Sequence, residues 1–290
     1  MSSSSLDGKV FLITGASAGI GAGLARELAS RGANLVLAAR RLDRLQALAA
    51  ELQSRTAVVS VPADVTADGE MERAVAAGVD AFGGLDGAIA NAGFGVTGYA
   101  TRLTLDDYRR QLETNFFGAL RTMYAALPAL RKSRGRLAFI GSVSGYVPTP
   151  RASAYVASKF ALRGFAHSIR GELARDGVSV TLLSPGFVVS DIGRVDNHGR
   201  LRDRDTMPAP VWLRMPTDKA ARLIINAIAA RRREAIITAH GKVLVWLARH
   251  APWVLRASLR RQRRSRQPPL PDGGAGDGGA DGGGPSQSAR

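Results

Sequence analysis

The chain has 290 residues, 45% of them apolar, enough for one well-buried α/β domain or two small ones. It contains no cysteine, which excludes disulfide staples, thiolate metal sites and cysteine nucleophiles together. The formal net charge of +16 is the unusual bulk value, and much of the excess lies near the C-terminus.

Met1–Leu6 has neither a basic n-region nor an apolar h-region, so no export signal is expected. No uninterrupted apolar stretch approaches the roughly 18–20 residues that a membrane-spanning helix requires. A cytoplasmic location is the expectation.

From Lys9 onward, short β-branched runs alternate with longer alanine- and leucine-rich stretches of helical period. Strands are predicted over Val10–Ile13, Asn34–Ala38, Ala57–Val61, Gly87–Ala90, Arg136–Ile140, Ser179–Leu183 and Glu234–Thr238. Helices are predicted over Ile20–Ser30, Leu42–Leu52, Asp68–Phe82, Leu105–Leu130, Ala152–Ala174 and Asp218–Ala230. The strands are apolar at consecutive positions, which suits cover by helices on both faces. The pattern implies one Rossmann-type α/β domain over residues 1–240, with a doubly wound, seven-stranded parallel sheet. Phe187–Pro216 breaks the rhythm and reads as a lid or an unstructured loop.

Directly after the first strand stands Thr14-Gly15-Ala16-Ser17-Ala18-Gly19-Ile20-Gly21, which runs into a helix. Glycines there permit a tight turn and close backbone approach to a pyrophosphate, whose charge meets the free N–H groups of the helix start. A glycine-rich turn also serves merely to pack a helix on a strand, so the rest of the chain must decide. The second strand ends in Ala38-Ala39-Arg40-Arg41, where an NAD-preferring site would place a carboxylate for the ribose 2′-hydroxyl. An arginine–phosphate bond contributes about 1.5–3 kcal/mol, so Arg40 is expected to favour the 2′-phosphate of NADP(H). The alternative is that Arg40 and Arg41 are solvated residues opening a helix.

Tyr155 and Lys159 stand four residues apart in a predicted helix and so share one face. Ser142 follows the strand Arg136–Ile140 at the sheet's carboxyl edge, where doubly wound folds bind ligands. Asn91-Ala92-Gly93 closes another strand at that edge, and Asn115 lies in the long helix after it. Carbonyl reduction needs a proton donor at the oxygen, a second polar contact to hold it, and a hydride over the carbon. Tyr155 is the candidate donor and Ser142 the orienting group. Lowering a phenol pKa by three units takes about 4 kcal/mol, which an ammonium about 4 Å away supplies at an effective dielectric near 20. Lys159 is therefore expected to tune Tyr155.

Thr14-Gly-Ala-Ser-Ala-Gly-Ile-Gly21, Asn91-Ala-Gly93, Asn115, Ser142, Tyr155-x-x-x-Lys159 and Pro185-Gly186 resemble the short-chain dehydrogenase/reductase superfamily over about residues 6–240. The resemblance implies that Asn115 holds a relay water behind Lys159. It further implies that Asp64 and Val65 contact the adenine, that Asn91, Ala92 and Gly93 line the cofactor, and that Pro185 and Gly186 lie beside the nicotinamide. Ala90 replaces a frequent asparagine of that pattern and Ser190 a frequent threonine. The family tends toward dimers and tetramers, so a homo-oligomer is expected.

Between Gly241 and Arg266 the chain carries Lys242 and seven arginines with no acidic residue. At 100° per residue, Arg249, Arg256, Arg260 and Arg263 fall on one side, with Val243, Leu244, Leu247, Ala251, Val254 and Leu255 on the other. Pro252 should split this basic amphipathic segment, 241–266, into two short helices. Its composition suits an anionic membrane surface, a subunit interface, a cover over the chain's own pocket, or an arginine face that is only solvated. No nucleic acid is expected, because no aromatic stacking platform accompanies the arginines. Residues 267–290, rich in Gly, Pro and Asp, read as a disordered tail.

Two functions follow. The first is a metal-independent NADP(H) oxidoreductase interconverting a carbonyl and an alcohol on an apolar substrate, with Phe94, Val147, Phe187 and Val188 flanking the site. The second is a catalytically idle NADP-binding protein that meets membrane or partners through its basic segment.

Overall fold

The computed structural model describes residues 6–198, 200, 203, 209–255 and 257. Val10–Thr14 forms strand β1 with all five residues buried. It is followed by β2 (Asn34–Ala39), β3 (Val58–Pro62), β4 (Gly87–Ala90), β5 (Arg136–Ile140), β6 (Ser179–Ser184) and β7 (Glu234–Ile236). The helices are α1 (Gly19–Ala29), α2 (Leu42–Leu52), α3 (Glu70–Phe82), α4 (Leu105–Leu112), α5 (Gly118–Ser133), α6 (Ser153–Ala174), α7 (Thr217–Ala229) and α8 (Ala239–His250). All seven strands pair in parallel in the order β3-β2-β1-β4-β5-β6-β7. This is a Rossmann-type sheet.

Successive side chains of a strand point to opposite faces, and both faces here are covered. Phe11 and Ile13 of β1 pack with α1, α2 and α7, whereas Val10 and Leu12 pack with α3, α5 and α6. That double cover explains the unbroken hydrophobic runs.

The single helix expected over Leu105–Leu130 is interrupted. A capping box on Thr104 and Asp107 starts α4, a π-helical turn spans Glu113–Phe117, and α5 continues to Ser133. The turn centres on Asn115, whose buried amide is drawn to the Phe94 backbone. π-Bulges inside helices tend to mark functional sites.

β7 stops at Ile236 because Thr238 turns the chain. Its hydroxyl accepts the Gly241 N–H at 3.2 Å, capping α8. One compact unit runs to His250, so residues 241–250 join the catalytic unit; a second begins at Ala251. In that second unit a helical turn covers residues 252–255, beginning at Pro252. Residues 256, 258–266 and the tail 267–290 lie outside the described residues. Among the described residues no helix is long and apolar enough to cross a membrane.

The helical-wheel expectation for α8 is corrected. Val245 is buried and Val243 exposed, while Arg249, itself exposed, bends back to Glu234 at 3.0 Å and lies over the Tyr146 ring. A carboxylate and an aromatic face on the sheet edge attract that guanidinium.

Candidate active site

Strand order runs outward both ways from β1 and β4, so the loops after them diverge and leave a crevice at their carboxyl ends. Thr14, the last residue of β1, ties the two lips together. Its hydroxyl accepts the Asn91 and Ala92 N–H groups at 3.1 and 3.2 Å and donates to the Ile89 carbonyl at 3.4 Å. The Asn91 amide donates in turn to the Thr14 and Gly15 carbonyls at 2.9 and 3.2 Å. Asn91 therefore braces the glycine loop.

Gly15 and Gly19 have φ of +65° and +52°, a region that favours glycine. A β-carbon on Gly15 would stand 2.8 Å from Ala92 Cα, and one on Gly21 2.3 Å from the Gly15 oxygen. Helix α1 begins with Ala18 as its N-cap, without a side-chain cap or an acidic residue in its first turn. Its first N–H groups are left to an anion. A cradle cleared of β-carbons at an uncapped helix start fits a pyrophosphate. Ile20 is half-buried and packs on the core behind the loop.

Three guanidinium groups, of Arg40, Arg41 and Arg44, stand after β2, beside the glycine loop. Arg40, the residue singled out from the sequence, is 64% exposed and 3.8 Å from Asp64. Arg41 donates to Ser17 Oγ at 3.1 Å. Burial, then Arg44 beside it, lowers the Arg41 pKa, against the nearby Asp191, with which Arg44 pairs at 3.4 Å. Asp64 accepts from the Thr66 N–H and hydroxyl at 2.9 and 2.8 Å, while Val65 is buried against Gly118.

Across the crevice, Ser142 caps the short 3₁₀ turn Val143–Gly145. Its oxygen accepts the Ser144 N–H at 3.1 Å, and its hydroxyl lies near enough to the Tyr155 phenol to favour the phenolate. Lys159, one turn along α6, is buried. It donates to the Ile140 carbonyl at 2.9 Å, with Nζ 5.7 Å from the Tyr155 ring centroid. Burial lowers the Lys159 pKa to about 8. Burial also raises that of Tyr155, against the Ser142 hydroxyl. Burial therefore opposes the lowering of the phenol pKa expected from Lys159. Desolvation of the phenolate dominates, and the Ile140 carbonyl engages the ammonium.

The Asn115 side chain is committed to protein partners. Its amide oxygen accepts the Phe94 N–H at 3.1 Å, and its nitrogen donates to the Phe94 carbonyl and Ser158 Oγ at 3.0 and 3.1 Å. With the side chain so committed, a relay water would have to be held by the main chain of the π turn. Gly93 lies alongside: a β-carbon there would stand 3.0 Å from Asn115 Oδ1 and 3.8 Å from Lys159 Nζ.

A family model described as short chain dehydrogenase matches residues 9–200. The chain belongs to the short-chain dehydrogenase/reductase family. An 11-beta-hydroxysteroid dehydrogenase A of Sesamum indicum is 36% identical over 264 residues, covering 86% of this chain and 75% of the relative. The 11-beta-hydroxysteroid dehydrogenase 1A of Arabidopsis thaliana is 38% identical over 246 residues, covering 80% and 68%. A short chain dehydrogenase from Burkholderia cenocepacia J2315, solved in complex with NADP, superimposes with a TM-score of 0.75 at 26% identity. The match covers 88% of this chain and 98% of that one. As a short-chain dehydrogenase/reductase, the chain is an oxidoreductase.

On this short-chain dehydrogenase/reductase, Pro185 and Gly186 follow β6, and the Pro185 carbonyl accepts the Val143 N–H at 3.0 Å. Gly186 lies under His240 and Thr238, each 2.3 Å from where its β-carbon would be. His240 was not singled out from the sequence. Its Nε2 accepts the Phe187 N–H at 3.0 Å, so Nδ1 carries the proton of the neutral ring. Its ring stacks on Phe187 at 5.3 Å. Burial lowers its pKa. No local motif announces it, since α8 must fold back over the sheet edge before the contact exists. Arg41 and Thr14 were within reach of sequence reasoning, because they adjoin residues already selected. Of the apolar residues expected to flank the site, Val188 is buried in the core, Val147 packs beside Val143 and Tyr146, and Phe187 faces His240. Phe94 stays at the crevice through its backbone bonds to Asn115.

Proposed function

We propose that this protein is an NADP(H)-dependent oxidoreductase that interconverts a carbonyl and an alcohol on an apolar substrate, with hydroxysteroids the first class to test. One observation carries the reading: Ser142, just after β5, and Tyr155, on α6, meet at the crevice edge, with buried Lys159 Nζ 5.7 Å from the Tyr155 ring centroid. Two adjacent hydroxyls are what a substrate oxygen needs, one to orient it and one to exchange a proton with it.

The cradle of Gly15, Gly19 and Gly21 would hold the pyrophosphate, Arg41 and Arg40 the 2′-phosphate, Asp64 and Val65 the adenine side, and Asn91, Ala92, Gly93, Pro185 and Gly186 the nicotinamide side. When bound, the cofactor supplies or accepts the hydride. In the reducing direction the Tyr155 O–H bond breaks and its proton passes to the substrate oxygen, which becomes the alcohol. Ser142 holds that oxygen through a hydrogen bond. The resulting phenolate lies close to the Lys159 ammonium, whose charge offsets it. The steroid assignment is supported by the hydroxysteroid dehydrogenase relatives at 36% and 38% identity, and the NADP assignment by the crowded arginines and the NADP complex of the structural neighbour.

The test is a panel of ketosteroids and small aliphatic ketones, each assayed with NADPH and NADH. Turnover of an apolar ketone with NADPH favoured is expected. Equal use of NADH would remove the cofactor assignment, and activity confined to small polar carbonyls would remove the substrate class.

A further inference from the structure

Helix α8 leaves the catalytic edge beside Gly186 and runs back along β7, where Arg249 reaches Glu234 at the start of that strand. Its inner side is fixed by Val245, buried with Val143 and Tyr146. Its outer side presents Val243 and Trp246, which are 59% and 58% exposed, together with exposed Lys242 and His250. A groove of about 350 Å³ separates helix from strand, lined among others by Arg232, Lys242, Trp246, Arg249 and His250. Glu234 is its one carboxylate. Both oxygens of Glu234 are engaged, Oε1 by the Tyr146 hydroxyl at 2.7 Å and by Arg249, Oε2 by His167 at 3.3 Å. The groove is therefore positive where it opens.

An exposed indole and valine among cations are poorly suited to water alone. They suit the boundary of an anionic bilayer, where tryptophan sits at headgroup level and each Lys or Arg near the surface gains about 1 kcal/mol. The sequence continues the same charge, with Lys242 and seven arginines and no acidic residue between Gly241 and Arg266. Nucleic acid is the competing polyanion, but a single indole is not the series of aromatic platforms that stacks successive bases.

We propose that the outer face of α8 docks this protein on an anionic lipid bilayer, with lipid headgroups meeting Arg232 and Lys242 in the groove and Trp246 and Val243 entering the headgroup layer. The proposal is independent of the substrate and cofactor assignments.

The full chain is sedimented with vesicles of phosphatidylcholine containing phosphatidylglycerol, and with pure phosphatidylcholine, at low and high salt. Partition into the anionic vesicles, lost in high salt and absent from the neutral ones, is expected. Lys242→Ala should weaken it about fivefold and Arg232→Ala with Lys242→Ala about 25-fold, as expected from about 1 kcal/mol per cation. Trp246→Ala should weaken it further and reduce the blue shift of tryptophan emission on adding vesicles, against the background of Trp212 and Trp253. Circular dichroism and urea unfolding, unchanged in each variant, show that the fold is kept. The proposal is overturned by equal binding to both vesicle types, or by binding that none of these substitutions weakens. It is equally overturned by tighter binding of single-stranded RNA than of vesicles, or by a vesicle-free dimer that Trp246→Ala dissociates.

Discussion

Lys159 reaches from α6 to the carbonyl of Ile140 at the end of β5, 2.9 Å away, and so ties the helix carrying Tyr155 to the strand that leads into Ser142. The bond fixes an ammonium inside the protein at the cost of its hydration. That cost has a measurable sign.

With a folded-state pKa of about 8 against an ordinary 10.5, Lys159 binds fewer protons in the folded than in the unfolded chain between those values. Its contribution to stability therefore rises with pH through that window, and the burial penalty is fully present below pH 8. Relative to Lys159→Met, wild type should gain on the order of 3 kcal/mol between pH 8 and 10.5. Urea unfolding of both proteins across that range reads it, and parallel curves would refute the buried ammonium.

Arg41 is held against Ser17 of the glycine loop, whereas Arg40 is more exposed and paired with Asp64. Arg41→Ala should raise the Michaelis constant for NADPH about tenfold or more, since a charge-assisted bond to phosphate contributes about 1.5–3 kcal/mol. Arg40→Ala should do less, and NADH kinetics should change little in either. A larger loss from Arg40 would reverse the assignment.

A β-carbon on Gly21 would lie 2.3 Å from the Gly15 carbonyl, which is backbone and cannot swing away. Gly21→Ala should therefore displace the loop and weaken NADPH binding more than tenfold, by analogy with other forced backbone shifts of about 1–3 kcal/mol. Fluorescence titration with NADPH checks this, with unfolding curves to separate local from global damage. Wild-type affinity would show that the loop adjusts freely.

His240→Ala removes the acceptor for the Phe187 N–H, and an unsatisfied buried donor costs about 1–3 kcal/mol. The expected result is a raised Michaelis constant for NADPH or substrate, with partial recovery in His240→Gln, which restores an acceptor. Kinetics of both variants decide it. Equal Michaelis constants in wild type and His240→Ala would show that Phe187 needs no such support.

The fold was legible because both sheet faces are covered, which imprints unbroken apolar runs such as Val10–Thr14 and Arg136–Ile140. The positions of Ser142, Tyr155 and Lys159 were readable from their place after a strand and along one helix. What local sequence could not express was competition among distant groups. Asn115 interrupts a helix because Phe94 claims its amide, Arg249 bends back along the surface because Glu234 and Tyr146 await it, and His240 meets Phe187 only after α8 folds back. The Lys159–Tyr155 relation was expected from spacing, yet its electrostatic sense depends on burial, which spacing does not encode.

The proton-transfer role of Tyr155 is tested most directly by Tyr155→Phe, assayed for NADPH-dependent ketone reduction alongside NADPH binding. Turnover should fall by about 10²–10⁴, the usual contribution of a general acid, while the dissociation constant for NADPH stays close to that of wild type. Turnover near the wild-type rate in a variant that still binds NADPH would contradict the account.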